Sequence, residues 1–504
     1  MDKLRNGRYL LWLLLAQVSL SQTATVAPVD PRATSTQQEL RSDFMSLRKV
    51  LEESHPGLYR YSSKAEIDDE FDCGIRSIDG NKTTIEFYDI VTRALGAIRD
   101  GHTNAYLPSE YRQYLNTNAH LVPLRVTPIN GELYVLASAK GVVPPGARIL
   151  SIDGRSAQAV LGEILSHLSG DGDVLTGKYA ALARNFPLYY YLFVEQPESI
   201  AIRYRYGAGK SHRVILSALT AADFQATLQG PVHAVTPGAD KPLRYELLRV
   251  PHAARLTIET FSPPDIQKAG QDFPLFLASA FGKAKDDGIE DLLIDLRGND
   301  GGDDYGPLLF SYLATHRFKF FDRAEAVSST FTTLREYSHL GADFQHEFID
   351  FLVPSDDGRF LLKNGSGITA PDLPLQETRY GGRAWFLVDG DVFSAAAEFC
   401  SVAFSNRRGK FLGVETGGAY HGNSSGESVV ITLPHSKLRA AIPLVMFSMA
   451  ESDPTNARRG VIPEYSIQPT IQQLLIDSDP TLDRAIAIIG TARSESPKET
   501  EERK

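Results

Sequence analysis

The spacing of apolar positions changes character twice along the chain, near residues 121 and 243. From Gln37 it is helical. Phe44, Leu47, Val50 and Leu51 share one face, and Pro56-Gly57 ends the run. A second helical run, Ile85 to Ile98, lines up Phe87, Ile90, Val91, Ala94, Leu95 and Ile98 and ends in Arg99-Asp100-Gly101-His102-Thr103. These runs predict an N-terminal helical cap over residues 37–115. From residue 121 alternation takes over. Val122–Val126 and Leu133–Leu136 read as strands. A turn at Pro144-Pro145-Gly146, a strand through Ile152, a tight Asp153-Gly154 turn and a helix over Ala157–Leu168 follow. Tyr179–Glu195 reads as an aromatic helix, and Ile200–Tyr206 and His212–Leu216 alternate as a potential strand pair.

The third stretch begins with strands from residue 243 and a helix over Phe273–Ala284, with Pro274 in its first turn, where proline is tolerated. Asp291–Leu296 is apolar enough to be a buried strand and runs directly into Arg297-Gly298-Asn299-Asp300-Gly301-Gly302. A helix over Tyr305–Leu313 follows. Ala384–Val388 is a second buried strand, followed after a short turn by a small-residue helix from Ala395. Strands recur at Lys410–Val414, Val429–Leu433 and Arg439–Pro443. Residues 322–380 carry no clear period and read as an insertion into this core, which spans 241–485.

Composition changes the picture modestly. At 504 residues more than one domain is expected. Apolar content of 42% supports a substantial core, and a net charge of −10 argues against nucleic acid as a partner. Residues 1–24 have the form of a secretory signal: Lys3, Arg5 and Arg8, then an apolar stretch from Leu10, then Ser19 and Ser21 at a cleavable position. An uncleaved anchor is the alternative. The expected location is secreted or periplasmic, with no stable membrane insertion once the signal is removed. Residues 25–36 read as a flexible lead-in and 486–504 as a disordered tail. Cys73 and Cys400 are the only cysteines, and an oxidising compartment permits but does not require a bond between them.

Candidate chemistry centres on Ser394, between a strand end and a helix start. The positive end of the helix dipole and small neighbours make this a seat for a nucleophile. It is equally a preferred helix cap. Acyl transfer also needs oxyanion donors and a base. The glycine turn ending at Gly302 and the Ala395 N–H can supply donors, and a lysine or histidine the base. His346-Glu347-Phe348-Ile349-Asp350 falls one ligand short of a zinc-protease helix and reads as an exposed amphipathic helix. No metal or cofactor is called for.

Four stretches occur in order: Leu292–Gly302 (LLIDLRGNDGG), the Ser394 strand–turn–helix, Gly413-Val-Glu-Thr-Gly-Gly418 and Gly460–Tyr465. Together they resemble the tail-specific, or C-terminal processing, family of serine peptidases. The resemblance implies an α/β fold with a crotonase-like twisted-sheet core, and a PDZ-like module, here residues 116–240, that would hold an extended polypeptide substrate. It places the nucleophile on Ser394 and the oxyanion donors on the N–H groups of Gly301 or Gly302 and of Ala395. The turn at Gly417 and Gly418 would face the substrate. Where the bacterial branch has its lysine base, this chain has Ala419, and the nearest lysine, Lys410, lies on the preceding strand. The chain is closer to the branch resembling the tricorn core protease, whose histidine base would fall on His102, with His421 as a rival. The serine that precedes the histidine in that branch is Gly101 here, leaving the orienting role to Thr103 or water. That branch's glutamate would fall on Glu451 or Glu464, with Glu451 preferred. The same scaffold also resembles the repeats of interphotoreceptor retinoid-binding protein, so a binding protein without catalysis is the alternative.

Overall fold

The computed structural model describes residues 29–229, 241–363, 373–450, 452–476 and 478–494. The expected signal at 1–24 lies outside them. Three helices open the described chain: α1 (Gln37–Ser54), α2 (Lys64–Ser77) and α3 (Thr84–Ile98). Each starts at a capping box, formed by Thr36 with Glu39, Ser63 with Glu66 and Thr83 with Glu86. The reciprocal bonds satisfy two otherwise orphaned N–H groups at each helix start. The apolar stripes of α1 and α3 are buried as their spacing predicts. Helix α2 is an addition to the sequence reading. Its buried side is thin, Ile67, Phe71 and Gly74, and a Cβ on Gly74 would sit 2.4 Å from the Phe44 ring. Thr34–Ser35 pair antiparallel with Lys82–Thr83, so the end of the expected flexible lead-in is instead a tethered strand.

The middle of the chain forms its own seven-stranded sheet. Leu124–Ile129, Glu132–Ala139, Arg148–Ile152, Ser199–Arg205 and Ser211–Ser217 carry most of it, all paired antiparallel. The two alternating stretches near residues 200 and 212 pair in register from Ser199–Ser217 to Arg205–Ser211. Helices α4 (Ala157–His167) and α5 (Thr176–Phe193) pack on this sheet. Helix α5 is kinked at Asn185, two residues before Pro187, whose ring and missing N–H break the helical ladder there.

The core sheet has the order β1 (Leu243–Leu247), β2 (Ala253–Ile258), β3 (Asp291–Asp295), β4 (Arg383–Val388), β5 (Gly409–Gly413), β6 (Tyr465–Ser466). β1 is antiparallel to β2, and the rest are parallel neighbours. Parallel sheets are covered on both faces, which is why β3 and β4 read as continuous apolar runs. On one face Leu292, Ile294, Phe386 and Phe411 join the main core with helix Phe273–Asp286 and helix α6 (Ala395–Ser405). On the other, Leu293, Trp385, Leu387 and Leu412 are covered by Ala485 and Ile489 of α7 (Pro480–Ser494). The disordered tail expected from residue 486 is therefore helical through Ser494, because Ala485 and Ile489, one turn apart, have an apolar sheet face to cover.

A second sheet joins the cap to the core. Phe321–Ala326 and Ser424–Thr432 flank Arg439–Met449, and Asn104–Tyr106 pairs with the start of that strand. The stretch 322–380 thus begins as a paired strand within this sheet rather than as a separate insertion. Farther on, the N–H groups of Thr332 and Thr333 bond Glu53 of α1. His346 and Asp350 are an exposed pair at 3.0 Å. Among the described residues no three His, Cys, Asp or Glu side chains gather as a metal site. Cys73 is exposed and Cys400 buried, and both are free.

Candidate active site

Two strand–turn–helix passages, side by side, build the seat of Ser394. β3 leaves the sheet into the turn 296–302 and β4 into the turn 389–394. Asp389 Oδ1 accepts from Gly298 N at 3.1 Å and Asp391 N at 3.0 Å, tying the two turns together. Burial and the neighbouring Asp391 push the Asp389 carboxyl up to about 7. Asn299 adds a second tie. Its carbonyl accepts from Phe393 N at 3.1 Å and its Nδ2 donates to Ile258 O at 3.0 Å. Ser394 is held at φ 51°, ψ −131°, a conformation that non-glycine residues rarely adopt. Such strain persists only where surrounding bonds impose it, and it turns the side chain out of the helix start. Ser394 Oγ makes no capping bond to α6. It lies 3.1 Å from His102 Nε2 instead.

His102 arrives from the cap. Helix α3 ends with Arg99 in the left-handed conformation, φ 60°, which turns the chain toward the core. Asp100 Oδ1 accepts from His102 N and from Thr103 Oγ1, each at 3.0 Å. Behind them His55 Nδ1 accepts from Gly57 N, so its proton sits on Nε2 and donates to Thr103 Oγ1 at 2.7 Å. Burial holds the His55 imidazole below its ordinary range, against the pull of Asp100. The chain His55–Thr103–Asp100 thus holds the loop from behind. The His102 ring stacks on Phe393, centroids 4.7 Å apart. Its Nδ1 is buried without a hydrogen-bond partner among the described residues.

The remaining predicted residues divide. Ala395 N is the first N–H of α6 and has no intrahelical acceptor. Gly302 bridges in parallel to Phe261, with Phe261 N bonded to Gly301 O and Asp303 N to Phe261 O, so its own N–H points away from Phe261. Gly301 is a correction. Its N–H is committed to Asn299 Oδ1 at 2.9 Å. Its glycine character has another cause: at φ 100° a Cβ would sit 2.7 Å from Ser394 Cβ. Gly417 and Gly418 are both buried, and a Cβ on them would meet Gly390 O at 2.1 Å and Ala397 Cβ at 2.6 Å, so close packing alone already calls for glycine there. His421 bonds Ser452 Oγ at 2.5 Å and not Ser394. Glu464 accepts from Phe411 N at 2.8 Å and from Lys410, a structural tie on β5. Glu451 lies outside the described residues.

Four groups were not anticipated. His55, Phe393 and Asp171 adjoin the loop that carries His102. Glu398, one turn after Ser394, is buried with Oε1 accepting from Asn423 Nδ2 at 2.9 Å, and burial raises its carboxyl to about 7. The Glu398 position, i+4 from the serine, was the one readable signal among them.

Residues 253–429 match the sequence profile of peptidase family S41. The chain carries a peptidase family S41 domain and is a serine-type peptidase. The matched segment holds both turns and Ser394, whereas His102 lies outside it. Among solved structures, the chain is similar to mature CPAF, with 13% identity over 92% of this chain and 99% of that one, TM-score 0.62. Mature CPAF complexed with lactacystin aligns with 13% identity over 91% and 98%, TM-score 0.62. A photosystem II D1 C-terminal processing protease aligns with 12% identity over 86% and 97%, TM-score 0.40. None of the curated protein sequences compared with the chain matches it.

Proposed function

We propose that this S41 peptidase cleaves peptide bonds of extended polypeptides through an acyl-enzyme on Ser394, with His102 as general base. The observation that carries the reading is the 3.1 Å approach of His102 Nε2 to the hydroxyl of a serine in a strained strand-to-helix turn. His102 takes the Ser394 proton as Oγ attacks the carbonyl, then returns it to the leaving amine. The N–H groups of Gly302 and Ala395 receive the oxyanion. Water then resolves the ester. The reading follows the Ser–His branch rather than the Ser–Lys branch: Ala419 occupies the lysine position, and Lys410 is engaged with Glu464. The twisted core is crotonase-like in this reading. The middle sheet serves as the PDZ-like element that presents substrate, and the N-terminal signal directs the protein to a secreted or periplasmic location.

The test is labelling by a fluorophosphonate probe across about pH 5–9. Ser394→Ala is expected to abolish labelling and peptide hydrolysis, and His102→Ala to lower both by roughly 10⁴–10⁶-fold, the scale seen when a member of such a dyad is removed. Labelling of the parent should rise with pH, because the base acts only unprotonated. A folded parent that takes no label at any pH would overturn the reading in favour of a binding protein on this scaffold.

A further inference from the structure

The segment Ser169–Asp173 follows α4 in the middle module, outside the residues that match the family. It grips the base loop at four points. Ser169 Oγ donates to Thr103 O, and Asp171 Oδ1 accepts from Gly101 N at 2.8 Å. Gly172 N donates to Arg99 O at 2.9 Å, and Arg99 Nη1 to Asp173 Oδ1 at 2.7 Å. The same segment grips the core. Asp171 Oδ2 accepts from Ala419 N at 3.1 Å, Asp173 N donates to Arg458 O at 2.8 Å, and Arg458 Nε donates to Asp173 Oδ2 at 2.7 Å.

Asp171 is the centre of this clasp. It is 1% exposed, and each of its oxygens takes one main-chain N–H from a different side. Gly101 immediately precedes His102. Ala419 follows Gly418, on which a Cβ would lie 3.3 Å from Ser394 N. A single carboxyl therefore joins the backbone one residue from the base to the backbone packed against the nucleophile. The gap leaves no slack: a Cβ on Gly101 would meet Phe393 Cζ at 2.6 Å and Asp171 Oδ1 at 3.0 Å. Since His102 Nδ1 has no partner among the described residues, its ring is aimed by how its loop is held.

We infer that Asp171 is a positioning residue for the proposed dyad, setting the His102–Ser394 approach by tying their two loops through one buried carboxyl. The inference rests on the Ser–His reading. Two acceptor oxygens are required, since both partners are N–H donors. Asparagine keeps the volume but turns an NH₂ toward one of them.

The experiment compares the parent, Asp171→Asn and His102→Ala by fluorophosphonate labelling rate, final labelling stoichiometry and steady-state peptide hydrolysis, with thermal unfolding alongside. Asp171→Asn is expected to label to the parental stoichiometry at a rate roughly 10–100-fold lower, with kcat reduced in parallel and KM within about twofold, the signature of a displaced base. A merely structural role lowers stoichiometry with the folded fraction and leaves the rate per reactive serine unchanged, and that result would overturn the inference. If Asp171→Asn does not fold, Ser169→Ala replaces it, with a rate about 3–10-fold lower expected at full stoichiometry and a parental rate overturning the inference. Parental labelling by His102→Ala would overturn the Ser–His reading itself, and the inference with it. Loss in His102→Ala alongside a parental rate in Asp171→Asn would overturn only the positioning role.

Discussion

Ser394 and the base loop around His102 are held in opposite ways. The serine's seat is local: a strand, a turn and a helix within about twenty residues, braced by the matching turn from the adjacent parallel strand. The base loop is short, leaves a helix through a left-handed residue, and takes its position from remote groups. His55, Asp171, Phe393 and the strand Arg439–Met449 all reach it from elsewhere in the chain. A proposed nucleophile in a strained conformation needs a rigid frame, and a parallel sheet supplies one. The proposed base is brought in on a separate layer, where several tethers must agree on its place.

Three substitutions sharpen that contrast. The largest effect is expected on the local side. Gly301→Ala places a methyl 2.7 Å from Ser394 Cβ at a backbone φ of 100°, so the turn or the serine must shift. A displacement near 1 Å is worth about 10²-fold in kcat, measurable by steady-state hydrolysis while the thermal transition stays cooperative. On the tethered side, Thr103→Val removes the acceptor of the His55 Nε2 proton and a donor to Asp100. A buried donor left unpaired costs about 1–3 kcal/mol, read by denaturant unfolding, and kcat should fall with it. If Thr103→Val lowers stability but leaves kcat untouched, the His55–Thr103–Asp100 chain supports the cap and not the base.

The smallest effect separates the frame from the chemistry. The Glu398 carboxyl is raised to about 7 in the folded protein, first by burial and then by Asp171, against an ordinary value of 4.5. The folded state therefore holds a proton that the unfolded chain gives up earlier. The associated stability is fully present below about pH 4.5 and is lost as pH rises through about 7. Glu398→Gln keeps the bond from Asn423 without the charge. It should match the parent near pH 4.5 and exceed it by on the order of 1–3 kcal/mol at pH 8 in denaturant titrations. Equal stability at both pH values would show that Glu398 does not titrate in this window.

What was legible in the sequence follows the same division. The buried strands 291–296 and 384–388 and the small-residue helix after Ser394 were readable because their determinants are contiguous. The candidate His102, in the loop 99–103, was readable only through the order of motifs, and the left-handed residue Arg99 that turns this loop was not read at all. Asp171, Phe393 and His55 were not, since no periodicity ties an acid after α4 to a histidine some seventy residues earlier. Helix α2 was missed because its few apolar positions are scattered among charged ones, and only packing on Phe44 explains Gly74. The glycines at 301, 417 and 418 were noticeable, but the close approaches they permit, to Ser394, Gly390 and Ala397, were not legible. Glycine marks close approach, and sequence does not say of what.

Helix α7 carries a consequence for the order in which the molecule is made. Ala485 and Ile489 cover Leu293, Trp385, Leu387 and Leu412, the face of β3, β4 and β5 opposite Ser394. Arg297, at the root of the glycine turn, is clamped between Asp295 and Asp479, just ahead of that helix. The cap that bears His102 is thus synthesised first, the serine much later, and the support beneath both turns later still. A ribosome-bound chain that already exposes Ser394 still lacks α7, the layer that covers β3, β4 and β5 on the far face of the sheet.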